Sequence, residues 1–477
     1  MKPNSKISSA FLWKLLERFG VQGIQLVLQI LLARLLDPAH YGVLAIMLIF
    51  TSLANVFVQQ GLNRALIQNK DVTEEDYSSV FWVTFLIATV CYVGIYLLAP
   101  WIAAFYSIPS LVHPLRVLAL ILFPGALNSV QLAKVSREMD FRKSFFSSIG
   151  GMIFSGAVGI LVAYLGGGLW ALVLQSLINA TVSCLIMSVT VRWKLRLVCN
   201  WERIRVLFSY GWKLLASALL NTFYDEIYSL IIGKKYSSET LGFYNRGTQF
   251  PGFIINSVVL SVESVMLPVL SAIQDNKQLV KKMMRETMMM SAYVVLPMMV
   301  GLAAIAEPLV TLLLTEKWLP CVPYMKLYCI AFAIDPVQSC NLLAINAMGR
   351  SDIFLKLEII KKIYFTCILI VIIFFFDSPV AIAATAILDA VICWGINAFP
   401  NKKLLNYSVL DQVQDLLPSI LLSAFMGIIV ASVGKLNLSP LVILIIQIPT
   451  GVAAYLLLSY LFKPKPFLVL LEKIRTI

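Results

Sequence analysis

Charge is the first thing this sequence lacks. Only 13% of its 477 residues are Asp, Glu, Lys or Arg, against about 25% in an ordinary soluble chain. With 60% hydrophobic residues and a mean hydropathy of +0.86, a water-soluble globular protein is excluded, and a polytopic membrane protein is indicated. Histidine is scarce: His40 and His113 stand alone, without metal-ligand spacing, so no zinc site is expected. The eight cysteines show no paired spacing and mostly fall in apolar runs, as core residues do, which argues against a disulfide framework or a metal centre. No G-x-x-x-x-G-K-[ST] loop is present, so ATP hydrolysis by that route is excluded. Long loops are missing too. That leaves no room for a periplasmic catalytic domain or for the gathered charges of a glycosyltransferase or polymerase, so no enzyme is expected and no cofactor beyond a coupling proton or sodium ion.

What is there is hydrocarbon. A spanning helix needs roughly 20 mostly apolar residues, and about fourteen such runs can be marked, centred from Leu26 to Leu456. They are continuous rather than short and alternating, which excludes a transmembrane β-barrel. The first run follows Glu17-Arg18 and continues too far for a signal-peptide core. The net charge of +13 comes from 38 Lys and Arg against 25 Asp and Glu. It is not a nucleic-acid signature, because the basic residues crowd into alternate loops. Clusters such as Lys134, Arg137, Arg142 and Lys143, or Lys277, Lys281, Lys282 and Arg285, share a side with the N-terminus, while the opposite loops hold little beyond Arg34, Lys234, Lys235, Lys317 and Lys435. Lys and Arg near span ends mark the cytoplasmic side, so fourteen spans with both termini cytoplasmic are predicted.

The chain also starts itself again. Trp212-Lys213-Leu214-Leu215 repeats Trp13-Lys14-Leu15-Leu16, and Gly242 then stands where Gly42 stood. Asp335-Pro336 follows the same logic as Phe123-Pro124, and INAMGRSDIFLK stands where AKVSREMDFRKS stood. The fold class expected is therefore an all-α polytopic membrane protein: a six-helix bundle over 1–200, a second over 201–403 that repeats it, and two extra helices over 404–477. Halves in parallel register are related by an axis along the membrane normal.

Each copy opens on a helix with a polar stripe: Arg18, Gln22, Gln25 and Gln29 in the first, Ser217, Asn221, Tyr224 and Tyr228 in the second. Steps of three and four residues keep each set on one face, and Lys213 and Asp225 extend the second. The next helix of each copy is polar along one side as well, through Asn55, Gln59 and Asn63, and then through Asn245, Gln249, Asn256 and Glu263. Matched stripes in so apolar a chain suggest a hydrated cavity between related halves. A charge near the bilayer centre costs roughly 2.5–3.5 kcal/mol, so it usually faces a cavity or a partner. Candidates are Glu17, Arg18, Arg116, Lys213, Asp225, Glu226, Arg246, Glu263, Lys326, Asp335 and Asp389. The plainer reading is that cations near helix ends, Arg116, Arg246 and Lys326 among them, snorkel to headgroups, and that Glu263 and Asp335 serve helix packing. Pro124, Pro251, Pro268, Pro297 and Pro336 bend helices, for packing or as pivots, and Met283–Met290 reads as interfacial packing.

The opening LERFGVQGIQLVLQILLARLLDPAHYGVLAIMLIF, the echo GKKYSSETLGFYNRGTQFP and the segment AKVSREMDFRKS together resemble the Wzx-type polysaccharide flippases. These belong to the multidrug/oligosaccharidyl-lipid/polysaccharide exporter superfamily, and the segments match its colanic-acid and teichuronic-acid exporter branch. The resemblance implies two helix bundles around a cationic cavity that opens alternately to each face of a bacterial inner membrane. It implies an undecaprenyl-diphosphate-linked oligosaccharide as cargo, membrane lipids as surroundings, and polysaccharide polymerase or export proteins as candidate docking partners. A diphosphate asks for Arg or Lys and a sugar chain for amides and Tyr. On that footing Arg18, Lys213, Arg246 and Arg116 are the diphosphate candidates. Gln22, Gln25, Gln29, Asn221, Tyr228, Gln59, Asn63, Gln249 and Asn256 are the sugar candidates, and Asp225, Glu263 and Asp335 the ion-coupling candidates. A cation-coupled drug exporter on the same architecture, or a non-transporting scaffold of a polysaccharide synthase, are the alternatives. The first would favour an acidic, aromatic pocket.

Overall fold

Prolines and small polar residues decide where the helices begin, and a computed structural model shows the result. It describes residues 3–475 apart from 70, 192, 194 and 437; within the helices, the side chains of 3–12, 15, 18, 19, 210, 213, 260, 351 and 473–475 also lie outside the described set. Every regular element among the described residues is helical. Helix α1 (Pro3–Leu35) stops at the Asp37-Pro38 turn, where Pro38 opens α2 (Pro38–Gln59) at a position that has no N–H to lose. A break at Gly61 leads to the short α3 (Leu62–Gln68). Thr73 and Asp76 form a reciprocal capping box that starts α4 (Glu74–Tyr106). The next span breaks into α5 (Val112–Leu118) and α6 (Leu122–Glu138), with a 3₁₀ turn at Ala119–Ile121 just ahead of Pro124. Gly166-Gly167-Gly168 joins α7 (Phe141–Tyr164) to α8 (Leu169–Val191), with φ of 79° at Gly166 and 51° at Gly168, values that favour glycine.

In the second copy α9 (Trp201–Asp225), capped by Asn200, gives way at Glu226 to α10 (Ile227–Lys235). Then come α11 (Ser238–Ala272), α12 (Lys277–Ala304) and α13 (Ala306–Leu314). Helices α14 (Val322–Phe332) and α15 (Asp335–Ala347) meet in a break just before Pro336, as α5 and α6 do before Pro124. The chain finishes with α16 (Ser351–Phe375), α17 (Pro379–Leu405), α18 (Val409–Val433), α19 (Pro440–Phe462) and α20 (Lys465–Arg475). Ahead of α16, Arg350 gives two hydrogen bonds of 3.0 Å to Asp352, which hold its guanidinium above its ordinary value.

Among the described residues eleven helical stretches are long and apolar enough to cross a bilayer. The Gly20–Leu35 part of α1 is a shorter apolar helix, while the broken pair α9–α10 and α16, with its Lys356, Glu358, Lys361 and Lys362, are not among the eleven. The chain is an all-α polytopic membrane protein. Helices run beyond their apolar runs: α1 starts at Pro3 and α11 at Ser238, because the polar flanks continue the turn.

The chain forms two compact units, Met1–Gly242 and Phe243–Ile477. In the first, α7 and α8 pack closely through small residues: a Cβ at Gly151 would run into Ser183, and Ser147 Oγ donates to Ser183 O at 2.5 Å. One core cluster gathers Leu66, Tyr77, Val80, Phe81, Val130 and Leu207. Helix α9 begins the second copy in sequence, yet it packs on α2, α3 and α4 within this first unit. The repeated glycines meet reciprocally here: a Cβ on Gly42 would collide with Ser238 O, and one on Gly242 with Pro38 O.

In the second unit a buried amide knot ties α18 to α15 and α17. Asn341 Nδ2 donates to Gln412 Oε1 at 3.0 Å, Gln412 Nε2 returns a bond to Asn341 Oδ1 at 2.9 Å, and Asn401 Nδ2 joins at 2.8 Å. All three side chains are fully buried. Arg285 of α12 pairs with Asp415 of α18, which also accepts from Tyr407 at 2.8 Å, and Tyr293 bonds Ser459 of α19 at 2.7 Å. The two C-terminal spans are thus bolted to the second unit by polar contacts in an apolar setting, where such bonds have little competition from water.

Candidate functional site

The polar stripes sit on helices whose other faces are committed to packing. Gly20 of α1 lies against Ile149 and Phe145 of α7, where a Cβ would stand 3.5 and 3.7 Å from them, and Leu28 abuts Gly156. At about 100° per residue, Gln22, Gln25 and Gln29 fall roughly a third of a turn from that packed face. Gln25 is exposed, and Gln22 and Gln29 are half-buried. On α9, Ser217, Asn221 and Asp225 are exposed and Tyr224 and Tyr228 half-buried. The glycine contact that fixes α9 is at Gly211, where a Cβ would stand 2.6 Å from Gly61 O. The side chains of Arg18 and Lys213 lie outside the described residues.

The remaining candidates fall into separate settings. Gln59 Nε2 donates to Asn55 Oδ1 at 2.9 Å on α2, beside Gly125 of α6. Asn63 of α3 is buried at 8% exposure. Arg116 donates from Nε to Tyr96 O at 3.2 Å and stacks 3.9 Å from the Tyr96 ring centroid, which holds it against α4. In the second unit Arg246 is buried at 5% exposure, bonds Gln249 Oε1 at 2.6 Å and lies 5.3 Å over the Trp318 ring. Asn256 is exposed and Glu263 half-buried along the same α11. Half-buried Asp335 accepts from Gln338 at 3.5 Å, and Gln338 also reaches Ala390 O at 3.3 Å. The structure therefore brings together Gln59 with Asn55 and Arg246 with Gln249. Among the described residues no group of three or more His, Cys, Asp and Glu is placed to hold a metal.

Sequence reasoning missed the strap between the two copies. Arg203 of α9 donates to Asp76 of α4 from Nε at 3.0 Å and Nη2 at 2.8 Å, and also reaches Asp71 O. The preceding linker lies along α4: Arg196 N and Asn200 N donate to Ser78 and Ser79 at 3.2 and 2.9 Å, and Trp82 Nε1 donates to Arg196 O at 3.0 Å. The capping spacing Thr73-x-x-Asp76 was a legible signal for a helix start, but nothing local announced its partner.

A model of the polysaccharide biosynthesis protein family matches residues 31–323, well over half of the chain. The chain belongs to that family. Among the family's curated relatives, it is 24% identical over 352 residues to the succinoglycan biosynthesis transport protein ExoT of Rhizobium meliloti, covering 74% of this chain and 71% of that one. It is 23% identical to the teichuronic acid biosynthesis protein TuaB of Bacillus subtilis, covering 73% and 72%. It is 22% identical to the lipopolysaccharide biosynthesis protein WzxC of Escherichia coli, covering 76% and 75%. Among solved structures, this polysaccharide biosynthesis protein superposes on the lipid II flippase MurJ in an inward closed conformation. The TM-score is 0.77 at 14% identity over 95% of this chain and 98% of that one. An inward-facing multidrug resistance transporter of the MATE family superposes with a TM-score of 0.60 at 15% identity, over 81% and 96%. These two likenesses establish the fold.

Proposed function

We propose that this protein is a flippase that carries an undecaprenyl-diphosphate-linked oligosaccharide across the bacterial cytoplasmic membrane by alternating access, with both termini in the cytoplasm. The observation that carries the reading is the exposure of Gln25 on α1 and of Asn221 and Asp225 on α9 inside an otherwise apolar chain. Amides and carboxylates at membrane depth avoid hydrocarbon and line water-filled paths, and stripes of this composition suit sugar hydroxyls. Arg18 and Lys213, one on each repeated helix, are assigned to the diphosphate, with Gln22, Gln25, Gln29, Asn221 and Tyr228 along the sugars. Of the other cations assigned to phosphate, Arg116 and Arg246 act at the margins of the path, since both are already engaged with aromatic rings. Gln59, Asn63, Gln249 and Asn256 extend the sugar-facing surface. The spans divide functionally as the repeat does, into bundles 1–200 and 201–403 with two further helices over 404–477. Asp225, Glu263 and Asp335 carry the coupling ion. The chain acts as a transporter rather than an enzyme, and polysaccharide polymerase or export proteins are its expected neighbours.

The test is a strain deleted for the protein. It should accumulate lipid-linked oligosaccharide, identified by mass spectrometry, and the wild-type chain should clear it. Arg18→Ala with Lys213→Ala, at normal protein level, should not. Clearance by the double variant would refute the phosphate assignment.

A further inference from the structure

One carboxylate, just ahead of the apolar part of α1, has no place in that account. Glu17 of α1, whose side chain is only 12% exposed, points at α7 rather than along the polar stripe. It accepts hydrogen bonds from Ser144 Oγ at 2.5 Å and Ser148 Oγ at 3.2 Å and pairs with Lys14 at 2.8 Å. Around it the contact between α1 and α7 is aromatic and cationic: Trp13 meets Phe145 edge-on at 5.3 Å, and Arg142 lies 5.6 Å over the Trp13 ring. A carboxylate bonded to two hydroxyls one turn apart adds to that packing a directional constraint on the rotation of α1.

The repeat sharpens the point. Ala216 stands where Glu17 stands in the first copy, and α9 is held instead by Arg203 on Asp76 and by the Gly211–Gly61 approach. Each opening helix thus has a polar anchor of its own among the described residues, Glu17 on α1 and Arg203 on α9.

We infer that Glu17 is a positioning residue: by bonding Ser144 and Ser148 it fixes the rotation of α1 and so aims the stripe of Gln22, Gln25 and Gln29 at the transported headgroup. This rests on the flippase reading above. Substrate recognition, not only fold stability, then depends on the carboxyl acceptor.

The experiment uses the full-length protein in liposomes, with lipid-linked oligosaccharide isolated from the deletion strain as the probe, and reads half-saturating concentration and maximal rate separately. Glu17→Leu should raise the half-saturating concentration about tenfold, the factor matching one lost charge-assisted hydrogen bond. Glu17→Gln keeps an acceptor and should restore most of the wild-type value. Ser144→Ala with Ser148→Ala should reproduce the Glu17→Leu defect, and the triple variant should add little to it. If Glu17→Leu does not fold, the serine pair and Glu17→Gln carry the comparison. The inference is overturned if Glu17→Leu or the serine pair leaves the half-saturating concentration unchanged, or if Glu17→Gln is as defective as Glu17→Leu. A wild-type protein that moves none of the probe overturns the flippase reading itself, and this inference with it.

Discussion

Removing the Arg203 guanidinium isolates the fastening of the second copy's first helix. Asp76 is buried at 2% side-chain exposure, while Arg203 is 36% exposed. Arg203→Ala deletes the bonds of 3.0 and 2.8 Å to the two carboxylate oxygens, but leaves Asp76 its bond from Thr73 N at 2.9 Å. Hydrogen bonds to charged groups contribute about 1.5–3 kcal/mol each. The half-open guanidinium is already solvated and screened, which discounts its share, and water can reach one vacated oxygen. The net cost is about 2 kcal/mol, close to a thirtyfold change in the folding equilibrium. Thermal unfolding of the detergent-solubilised protein, followed by tryptophan fluorescence, reads the change, and a cycle with Asp76→Asn isolates the pair. The double variant should lose little more than Arg203→Ala alone. A change under about 0.5 kcal/mol, or full additivity in the cycle, would show that the linker is held by its serine and tryptophan contacts without the ion pair.

Alanine at Gly42 or Gly242 should destabilise by about 1–3 kcal/mol, because its Cβ meets a backbone carbonyl that cannot turn aside. Alanine at Gly23 or Gly94, which face open space within α1 and α4, should be neutral or slightly stabilising in the same unfolding assay. Asn341→Leu should cost about 2–4 kcal/mol, since it strands Gln412 and Asn401 in a dry knot; limited proteolysis should then find the segment from Leu405 onward loosened first. Collapsing the proton and sodium gradients across vesicles should slow translocation if Asp225, Glu263 and Asp335 couple it, and unchanged rates would exclude that role.

How much of this was legible beforehand follows from which forces are local. Hydropathy is local, so apolar runs could be marked, and eleven helical stretches among the described residues are long and apolar enough to cross a bilayer; proline chemistry is local too, and Pro124 and Pro336, marked as bends, stand just after breaks between helices. The repeated glycines were visible as Gly42 and Gly242, but not their mutual seating, which is a matter of helix crossing rather than sequence pattern. That α9 packs with α2, α3 and α4 was not legible either, because its anchor Asp76 lies 127 residues from Arg203. The amide knot of Asn341, Asn401 and Gln412 was hidden for the same reason, and each residue alone reads as one more polar group in an apolar run. Glu17 was visible as an unexpected charge, while its partners Ser144 and Ser148 carry no signal until α1 is laid on α7.

The central claim is that α1 and α9 present their polar stripes to water at membrane depth. Gln25 and Asn221 are exposed, and so are their neighbours Val27 and Leu220, at 56% and 59%. Only the medium each pair meets should differ. Single cysteines at these four positions, in a background without the eight native ones, should divide cleanly under a membrane-impermeant maleimide applied to inverted and right-side-out vesicles. Labelling at Gln25→Cys and Asn221→Cys with none at Val27→Cys and Leu220→Cys is the predicted result. Equal silence at all four positions, or labelling confined to Val27→Cys and Leu220→Cys, would contradict it.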